Sequence, residues 1–176
     1  MEKERKDIIR VAVIGPESTG KTELCKRLSE TFRDIWVPEY ARTYIEKLKR
    51  PYRYGDVLHI ASEQCKEEEV YVRKAKKILF LDTDLIITKI WLSHVWNSCP
   101  SWIDDRIRNA QRDLYLLCND DLPWEFDPVR ENPDIRKYLF NCYKKEVEKN
   151  NFPYFVVSGI GEARVQCALE KIKELL

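Results

Sequence analysis

The segment GPESTGKT, residues 15–22, constrains the fold of this chain more than any other stretch. It has the pattern G-x-x-x-x-G-K-[ST], in which backbone N–H groups and the N-terminus of the following helix surround a chain of phosphates. A β-branched run over residues 8–14 predicts a buried strand before it, and apolar residues at helical spacing over residues 22–32 predict a helix after it. The pattern therefore indicates a phosphate-binding strand–loop–helix unit rather than a fortuitous glycine-rich turn.

Each residue of this loop is predicted to contact ATP. The glycines allow the backbone to curl around the phosphates. We expect Lys21 to reach the β- and γ-phosphates and the hydroxyl of Thr22 to coordinate Mg²⁺. The predicted ATP-binding residues of the loop are Gly15, Pro16, Glu17, Ser18, Thr19, Gly20, Lys21 and Thr22.

Predicted strands alternate with predicted helices along the rest of the chain. The strands fall at residues 8–14, 35–37, 78–81, 113–118 and 154–158. The helices fall at residues 22–32, 40–48, 57–77, 84–96, 133–149 and 162–176. Such alternation is typical of a parallel sheet with helices on both faces. The sequence therefore predicts a three-layer α/β/α P-loop NTPase fold with a five-stranded parallel sheet, as one domain over residues 1–176.

Composition narrows the classes of partner. The chain has 31 Lys and Arg against 30 Asp and Glu, so it lacks the basic excess that attracts nucleic acid. The charged segment MEKERKD argues against a signal peptide, and the apolar runs are far shorter than the roughly 20 residues of a membrane helix. None of the six cysteines has CxxC spacing, which favours reduced thiols in a cytoplasmic protein. A homo-oligomer remains open.

Two acidic positions follow predicted strands. Asp82 ends the run ILFLD, where a carboxylate either serves the metal shell of a P-loop fold, which we favour, or caps the next helix, and Asp84 either caps that helix or contacts the acceptor. Glu39 in VPEYAR could take a proton from an acceptor hydroxyl, and Arg42 could hold the polar groups of the acceptor. The alternative for Glu39 is a surface carboxylate that the helix dipole favours.

The stretch DDLPWEFDPVREN lies in a predicted loop at residues 119–132, where kinases of small substrates have a lid. Arg130 could neutralise charge on a transferred phosphoryl group, and Trp124 could stack on a planar ring. The alternative is a proline-rich surface loop with a weak Arg–Asp pair.

Taken together, these motifs carry a family resemblance. GPESTGKT, PEYAR, Gln64 in the long helix, FLDTD and the pattern Trp124-x-x-Asp127-x-x-Arg130 occur in that order over residues 11–160. The chain resembles the ribosylnicotinamide kinase domain of the NadR-type regulators of NAD synthesis. The resemblance implies a lidded fold like that of nucleoside and nucleotide kinases. It also implies ATP- and Mg²⁺-dependent phosphorylation of the 5′-hydroxyl of nicotinamide riboside, giving nicotinamide mononucleotide.

The resemblance also implies roles for individual residues. The implied catalytic residues are Lys21, Glu39, Asp82 and Arg130. The implied acceptor-binding residues are Glu39, Tyr40, Arg42, Gln64 and Asp84. Thr22 and Asp82 would hold the metal, and Trp124, Asp127 and Arg130 would close over ATP as part of the lid.

Two further readings stay open at this point. One is a kinase for another nucleoside, since selectivity for a cationic pyridinium ring needs aromatic or acidic neighbours, for which Tyr40, Tyr44, Trp91 and Trp96 are candidates. The other is a nucleotide-dependent switch without an acceptor, although CNDD lacks the lysine of the GTPase signature. The HxGH motif and helix-turn-helix of the longer NadR-type proteins do not occur in this sequence. Adenylyl transfer and repressor activity are therefore not expected from it.

Overall fold

The computed structural model describes residues 7–176, and a parallel sheet of five strands forms its centre. Most of the charged segment MEKERKD lies outside the described residues. The strands are β1 (Ile9–Ile14), β2 (Ile35–Val37), β3 (Ile78–Asp82), β4 (Leu114–Cys118) and β5 (Tyr154–Val157). Their order in the sheet is β2-β3-β1-β4-β5, so β1 is central and pairs with β3 and β4. The predicted number and direction of strands are confirmed.

Seven α-helices and one 3₁₀ turn, Pro133–Ile135, connect the strands of the described chain. The helices are α1 (Lys21–Phe32), α2 (Tyr40–Lys47), α3 (Tyr54–Val72), α4 (Leu85–Trp96), α5 (Ser101–Arg108), α6 (Arg136–Lys149) and α7 (Glu162–Lys173). Helix α5 has no counterpart among the predicted helices, although Ile103 and Ile107 are buried at i, i+4 spacing. Helix α3 begins three residues earlier than predicted, where the carboxylate of Asp56 accepts a hydrogen bond from the N–H of Arg53 at 2.7 Å.

Alternating side chains of the sheet divide between two cores. Along β1, Ala12 and Ile14 pack into the core beneath α3, α4 and α6, whereas Val11 and Val13 pack into the core beneath α1 and α7. Each face of the sheet is thus covered by helices, because neither face of a parallel sheet tolerates water. The chain has the predicted three-layer α/β/α fold.

Several elements place polar residues at the carboxyl ends of β1, β3 and β4. Residues 15–20 follow β1, residues 83–84 follow β3, and residues 119–132 follow β4 without forming a helix or strand. In open parallel sheets this edge is where ligands bind. All six cysteines are free, as predicted. Within residues 7–176, every helix is too short or too polar to span a bilayer.

Candidate active site

The loop from Gly15 to Gly20 has the backbone that its glycines predict. Gly20 adopts a left-handed conformation, with φ of +75°, at the start of α1. A Cβ atom on Gly15 would lie 2.8 Å from the carbonyl oxygen of Cys118 and 2.9 Å from its Cβ, which is too close for either atom. The loop therefore passes over the end of β4 at a distance that only glycine permits.

Thr22 and Asp82 meet beneath this loop. The hydroxyl of Thr22 donates a hydrogen bond to Oδ2 of Asp82 at 2.6 Å, while Oδ1 of Asp82 is buried and has no partner among the described side chains. Burial raises the pKa of Asp82, against the opposing effects of the Thr22 hydrogen bond and the Lys21 charge. An orphaned carboxylate oxygen beside a hydroxyl fits Mg²⁺, which prefers oxygen ligands.

Other acidic or soft ligands do not join these two residues. Within residues 7–176, no group of three or more His, Cys, Asp or Glu side chains has the geometry of a metal site.

Asp84, although only two residues beyond Asp82, has a structural role. Oδ1 accepts a hydrogen bond from the N–H of Ile86 at 3.0 Å, and Oδ2 accepts one from Nε of Arg112 at 2.9 Å. Thr83 between the aspartates has φ of +84°, an uncommon value for a β-branched residue. The capping interpretation of Asp84 is confirmed, since its side chain caps α4, and the predicted acceptor contact stays a prediction.

Two cavities lie on either side of the Lys21 ammonium group. The outer cavity, of about 500 Å³, is formed by the loop and α1 together with Leu122, Pro123, Arg130 and Ile160. The inner cavity, of about 450 Å³, extends between α2, α4 and α6. Residues that line both cavities are Glu17, Lys21, Glu39, Arg42 and Val129. The lysine of the phosphate-binding motif thus lines a second, adjoining cavity as well.

Glu39 and Arg42 occupy the boundary between the cavities. Glu39 precedes α2 as its N-terminal cap, and its side chain is not used in capping. Burial raises the pKa of Glu39, and the charge of Lys21 opposes this shift. Nη1 of Arg42 donates to the carboxylate of Asp127 at 2.9 Å. The structure therefore places Glu39 and Arg42 with Lys21 on the walls of both cavities, whereas Asp127, which is paired with Arg42, lines neither cavity.

Tyr40 and Gln64 lie behind this boundary. Oε1 of Gln64 accepts a hydrogen bond from the N–H of Tyr40 at 2.8 Å, and Nε2 donates to the carbonyl oxygen of Pro38 at 3.3 Å. The ring of Tyr40 stacks on Tyr44, with centroids 6.1 Å apart, and both rings line a third groove, which shares Glu39 with the two cavities. The structure does not bring these two predicted acceptor residues into the inner cavity. Gln64 instead fixes the backbone on either side of Glu39.

The 119–132 loop is bound to the phosphate-binding loop by hydrogen bonds. Oγ of Ser18 accepts from the N–H of Glu125 at 2.9 Å, and the carboxylate of Glu17 accepts from the N–H of Asn132 at 2.9 Å. Arg130 lines the outer cavity, and its Nη1 donates to the carbonyl oxygen of Glu125 at 2.7 Å. Trp124 lines neither cavity, and its ring lies 5.8 Å from the guanidinium of Arg136.

Arg164 is a site residue that the sequence analysis missed. It is 4% exposed, and its Nη2 donates to the carbonyl oxygens of Thr19 and Asn119, each at 2.9 Å. Nη1 donates to Asp121 at 2.6 Å. One guanidinium thus joins the phosphate-binding loop to the end of β4. Its position beside Val165 in the apolar stripe of α7 is the sequence feature that indicates a buried arginine.

The inner cavity combines aromatic rings with carboxylates. The OH of Tyr52 donates to Glu131 at 2.7 Å and accepts from Nε1 of Trp91 at 3.1 Å. The rings of Tyr52 and Trp91 are nearly perpendicular, with centroids 5.0 Å apart. Trp91 was one of the four predicted aromatic candidates. Trp96 instead packs on the rings of Tyr52 and Tyr54, away from the cavity.

Comparisons with known proteins agree with the fold. A sequence model of a family described as an AAA domain matches residues 10–164. The trifunctional NAD biosynthesis/regulator protein NadR of Salmonella typhimurium is 25% identical over 173 residues, which is 94% of this chain and 42% of that protein. The chain therefore spans less than half the length of this curated relative.

Two solved structures show how widely the fold is shared. NadR in complex with NR superposes with a TM-score of 0.83 at 21% identity, over 95% of this chain and 51% of that one. Deoxyadenosine kinase from M. mycoides superposes with a TM-score of 0.64 at 14% identity, over 94% of this chain and 100% of that one. The fold is that of P-loop nucleoside and nucleotide kinases. The resemblance to NadR-type proteins is confirmed, and the chain belongs to the AAA domain family.

Proposed function

We propose that this chain is an ATP- and Mg²⁺-dependent kinase that phosphorylates the 5′-hydroxyl of nicotinamide riboside, giving nicotinamide mononucleotide. The observation that carries the proposal is the pair of cavities that meet at Lys21, Glu39 and Arg42. A phosphate donor in the outer cavity and a hydroxyl acceptor in the inner cavity would face each other across these side chains. Such juxtaposition is the main requirement of phosphoryl transfer.

The side chains at the boundary have distinct roles in this reaction. Loop N–H groups and Lys21 bind the β- and γ-phosphates, and Glu39 accepts the proton of the acceptor hydroxyl. Thr22 and Asp82 hold Mg²⁺, which when bound neutralises charge on the phosphates. Arg130 stabilises negative charge on the transferred group.

The 119–132 loop acts as the lid in this proposal, within a single domain. Its ties to Ser18 and Glu17 and the ion pair between Asp127 and Arg42 hold it across both cavities. A closed lid excludes water, which competes with the riboside for the phosphoryl group. The free cysteines support a cytoplasmic location for the protein.

The choice of nicotinamide riboside rests on the inner cavity. Tyr52, Trp91 and Tyr143 line it beside carboxylates, and aromatic faces attract a cationic ring such as pyridinium. NadR is seen in complex with NR in the structure that superposes over 95% of this chain. A neutral nucleoside would use the rings but gain nothing from the carboxylates. A nucleotide switch without an acceptor would not need the inner cavity.

The direct test is to incubate the purified protein with ATP, Mg²⁺ and nicotinamide riboside and to measure nicotinamide mononucleotide by chromatography. We expect a product that requires all three components. A panel of uridine, cytidine and deoxyadenosine distinguishes the proposed acceptor from other nucleosides. Faster phosphorylation of one of these would show that the acceptor assignment is wrong, and ATP hydrolysis unaffected by every nucleoside would favour the switch.

Replacement of Lys21 by alanine should lower kcat by at least about a hundredfold, because the phosphates lose their only contacting ammonium group in the motif. The unfolding temperature should change little, since Lys21 is only partly buried and the carbonyl oxygen of Pro16, to which it donates, also accepts from the hydroxyl of Thr19. Lys26→Ala is the matched control, because Lys26 is exposed on the same helix and lines neither cavity. Equal activity of the two variants would contradict the role of Lys21.

A further inference from the structure

Glu131 is held at one wall of the inner cavity by contacts on both sides. Its carboxylate accepts the hydrogen bond from Tyr52 at 2.7 Å, and Tyr52 in turn is bound to Trp91. Its backbone N–H donates to the carboxylate of Glu17 at 3.2 Å. Glu131 is therefore held by a residue of the phosphate-binding loop and by the hydroxyl of Tyr52. Its carboxylate lies beside the rings of Tyr52 and Trp91.

Two carboxylates of this wall have no ion-pair partner among the described residues. Glu131 and Glu17 line the inner cavity, and neither forms an ion pair within residues 7–176. Their partners are a neutral hydroxyl and neutral backbone N–H groups. Arg42 and Lys21 line the same cavity, but Arg42 is paired with Asp127, and Lys21 donates to the carbonyl oxygen of Pro16 in the phosphate-binding loop. A cationic group beside Tyr52 and Trp91 would give Glu131 the charged partner that it lacks.

We propose that the carboxylate of Glu131 attracts the positively charged ring of the acceptor and so selects a pyridinium cation over rings that lack a net positive charge. This inference rests on the proposed function, because it concerns the acceptor in the same site. Two relatives of the riboside should be disfavoured for different reasons. The 1,4-dihydro form has no ring charge for the carboxylates to attract. The analogue with a carboxylate in place of the carboxamide brings a second negative charge toward Glu131.

The test compares the three ribosides as acceptors for the wild type and for Glu131→Gln. Glutamine keeps the size of the side chain and an oxygen that accepts from Tyr52, so the wall stays in place while its charge is removed. The control is Asp134→Asn, which removes an exposed carboxylate from the following 3₁₀ turn outside both cavities.

We expect the preference of kcat/KM for the pyridinium riboside over its dihydro form to fall about fivefold in Glu131→Gln, as for one partly exposed charge contact. The carboxylate analogue should become a better acceptor relative to the amide, and Asp134→Asn should keep the wild-type preferences. Calorimetric titration of each riboside with an unreactive ATP analogue should show the same change in affinity ratio.

Three results would overturn the inference. If Glu131→Gln still phosphorylates the pyridinium riboside with the wild-type preference, the charge of Glu131 does not determine this preference, and the proposed function stands. If all three ribosides lose activity equally, Glu131 only positions the 119–132 loop. If the wild type phosphorylates none of the three, the proposed function is wrong and the inference is wrong with it.

Discussion

At the scale of single residues, a few positions carry requirements that no other side chain meets. Gly15 passes so close to Cys118 that a methyl group has no room. Arg164 satisfies carbonyl oxygens from two separate loops, which would be costly to leave unpaired in the interior. Asp82 keeps one oxygen free where a metal is expected. Each of these residues is therefore fixed by its surroundings at the edge of the sheet where ligands are expected to bind.

Gly15→Ala should destabilise the protein by roughly 1–3 kcal/mol, because the added Cβ would overlap Cys118 and force the loop away from β4. ATP affinity should fall as well. Gly55→Ala is the control, since Gly55 lies in the first turn of α3 with nothing within 4 Å of its added Cβ. That variant should be stabilised by about 0.5 kcal/mol. Urea unfolding checks both, and equal stability of the two variants would contradict the steric argument.

At the scale of elements, the decisive contacts join segments that are far apart in the chain. The 119–132 loop is tied to the phosphate-binding loop through Ser18 and Glu17, and to α2 through Arg42 and Asp127. Most of these ties use single side chains or backbone N–H groups at the surface, which makes each of them weak. A lid with many weak ties can open for substrate entry and close again.

The ion pair between Arg42 and Asp127 should couple closure of the loop to phosphoryl transfer. Arg42→Ala and Asp127→Ala should each lower the ratio of riboside phosphorylation to ATP hydrolysis, because a looser loop admits water. The double variant should be little worse than either single variant, giving a coupling of about 0.5–1 kcal/mol in a double-mutant cycle.

A surface ion pair between α1 and α7 provides the control for this cycle. Arg27 pairs with Glu162 away from both cavities, and its removal should leave the ratio unchanged. Strictly additive effects of the Arg42 and Asp127 substitutions would show that the two side chains do not act together.

At the scale of the whole molecule, one sheet joins the two cores. Phe80 and Leu81 are neighbours in β3, yet they pack on opposite faces, and Leu116 and Leu117 do the same in β4. Because both cores use the same strands, unfolding of one core would also remove the strands that support the other core. The cavities lie at one edge of this sheet, so their geometry depends on both cores.

The chain should consequently unfold in a single cooperative transition. Urea unfolding followed by far-ultraviolet circular dichroism and by tryptophan fluorescence should give coincident curves, because all elements share the sheet. ATP with Mg²⁺ should shift both curves to higher urea concentration together. Two separated transitions would show that the chain consists of independently folding units.

Local patterns were sufficient for most of the fold. Short continuous apolar runs predicted all five strands, because a strand of a parallel sheet is covered by helices on both faces. Helix α5 was missed because eight residues with only two buried apolar side chains give a weak periodic signal. Asp84 was ambiguous because capping and ligand binding use the same carboxylate, and only its contact with Ile86 shows that it caps α4.

The sequence by itself determined the phosphate-binding loop, because its glycines are required by backbone sterics that act within a few residues. It also determined the layered α/β fold through the spacing of apolar residues. Only the tertiary structure decided the inner cavity. Tyr52, Trp91 and Glu131 come from three distant segments, and Arg42 meets Asp127 across 85 residues of chain. Such contacts depend on packing of the whole sheet and its helices, which no short pattern encodes.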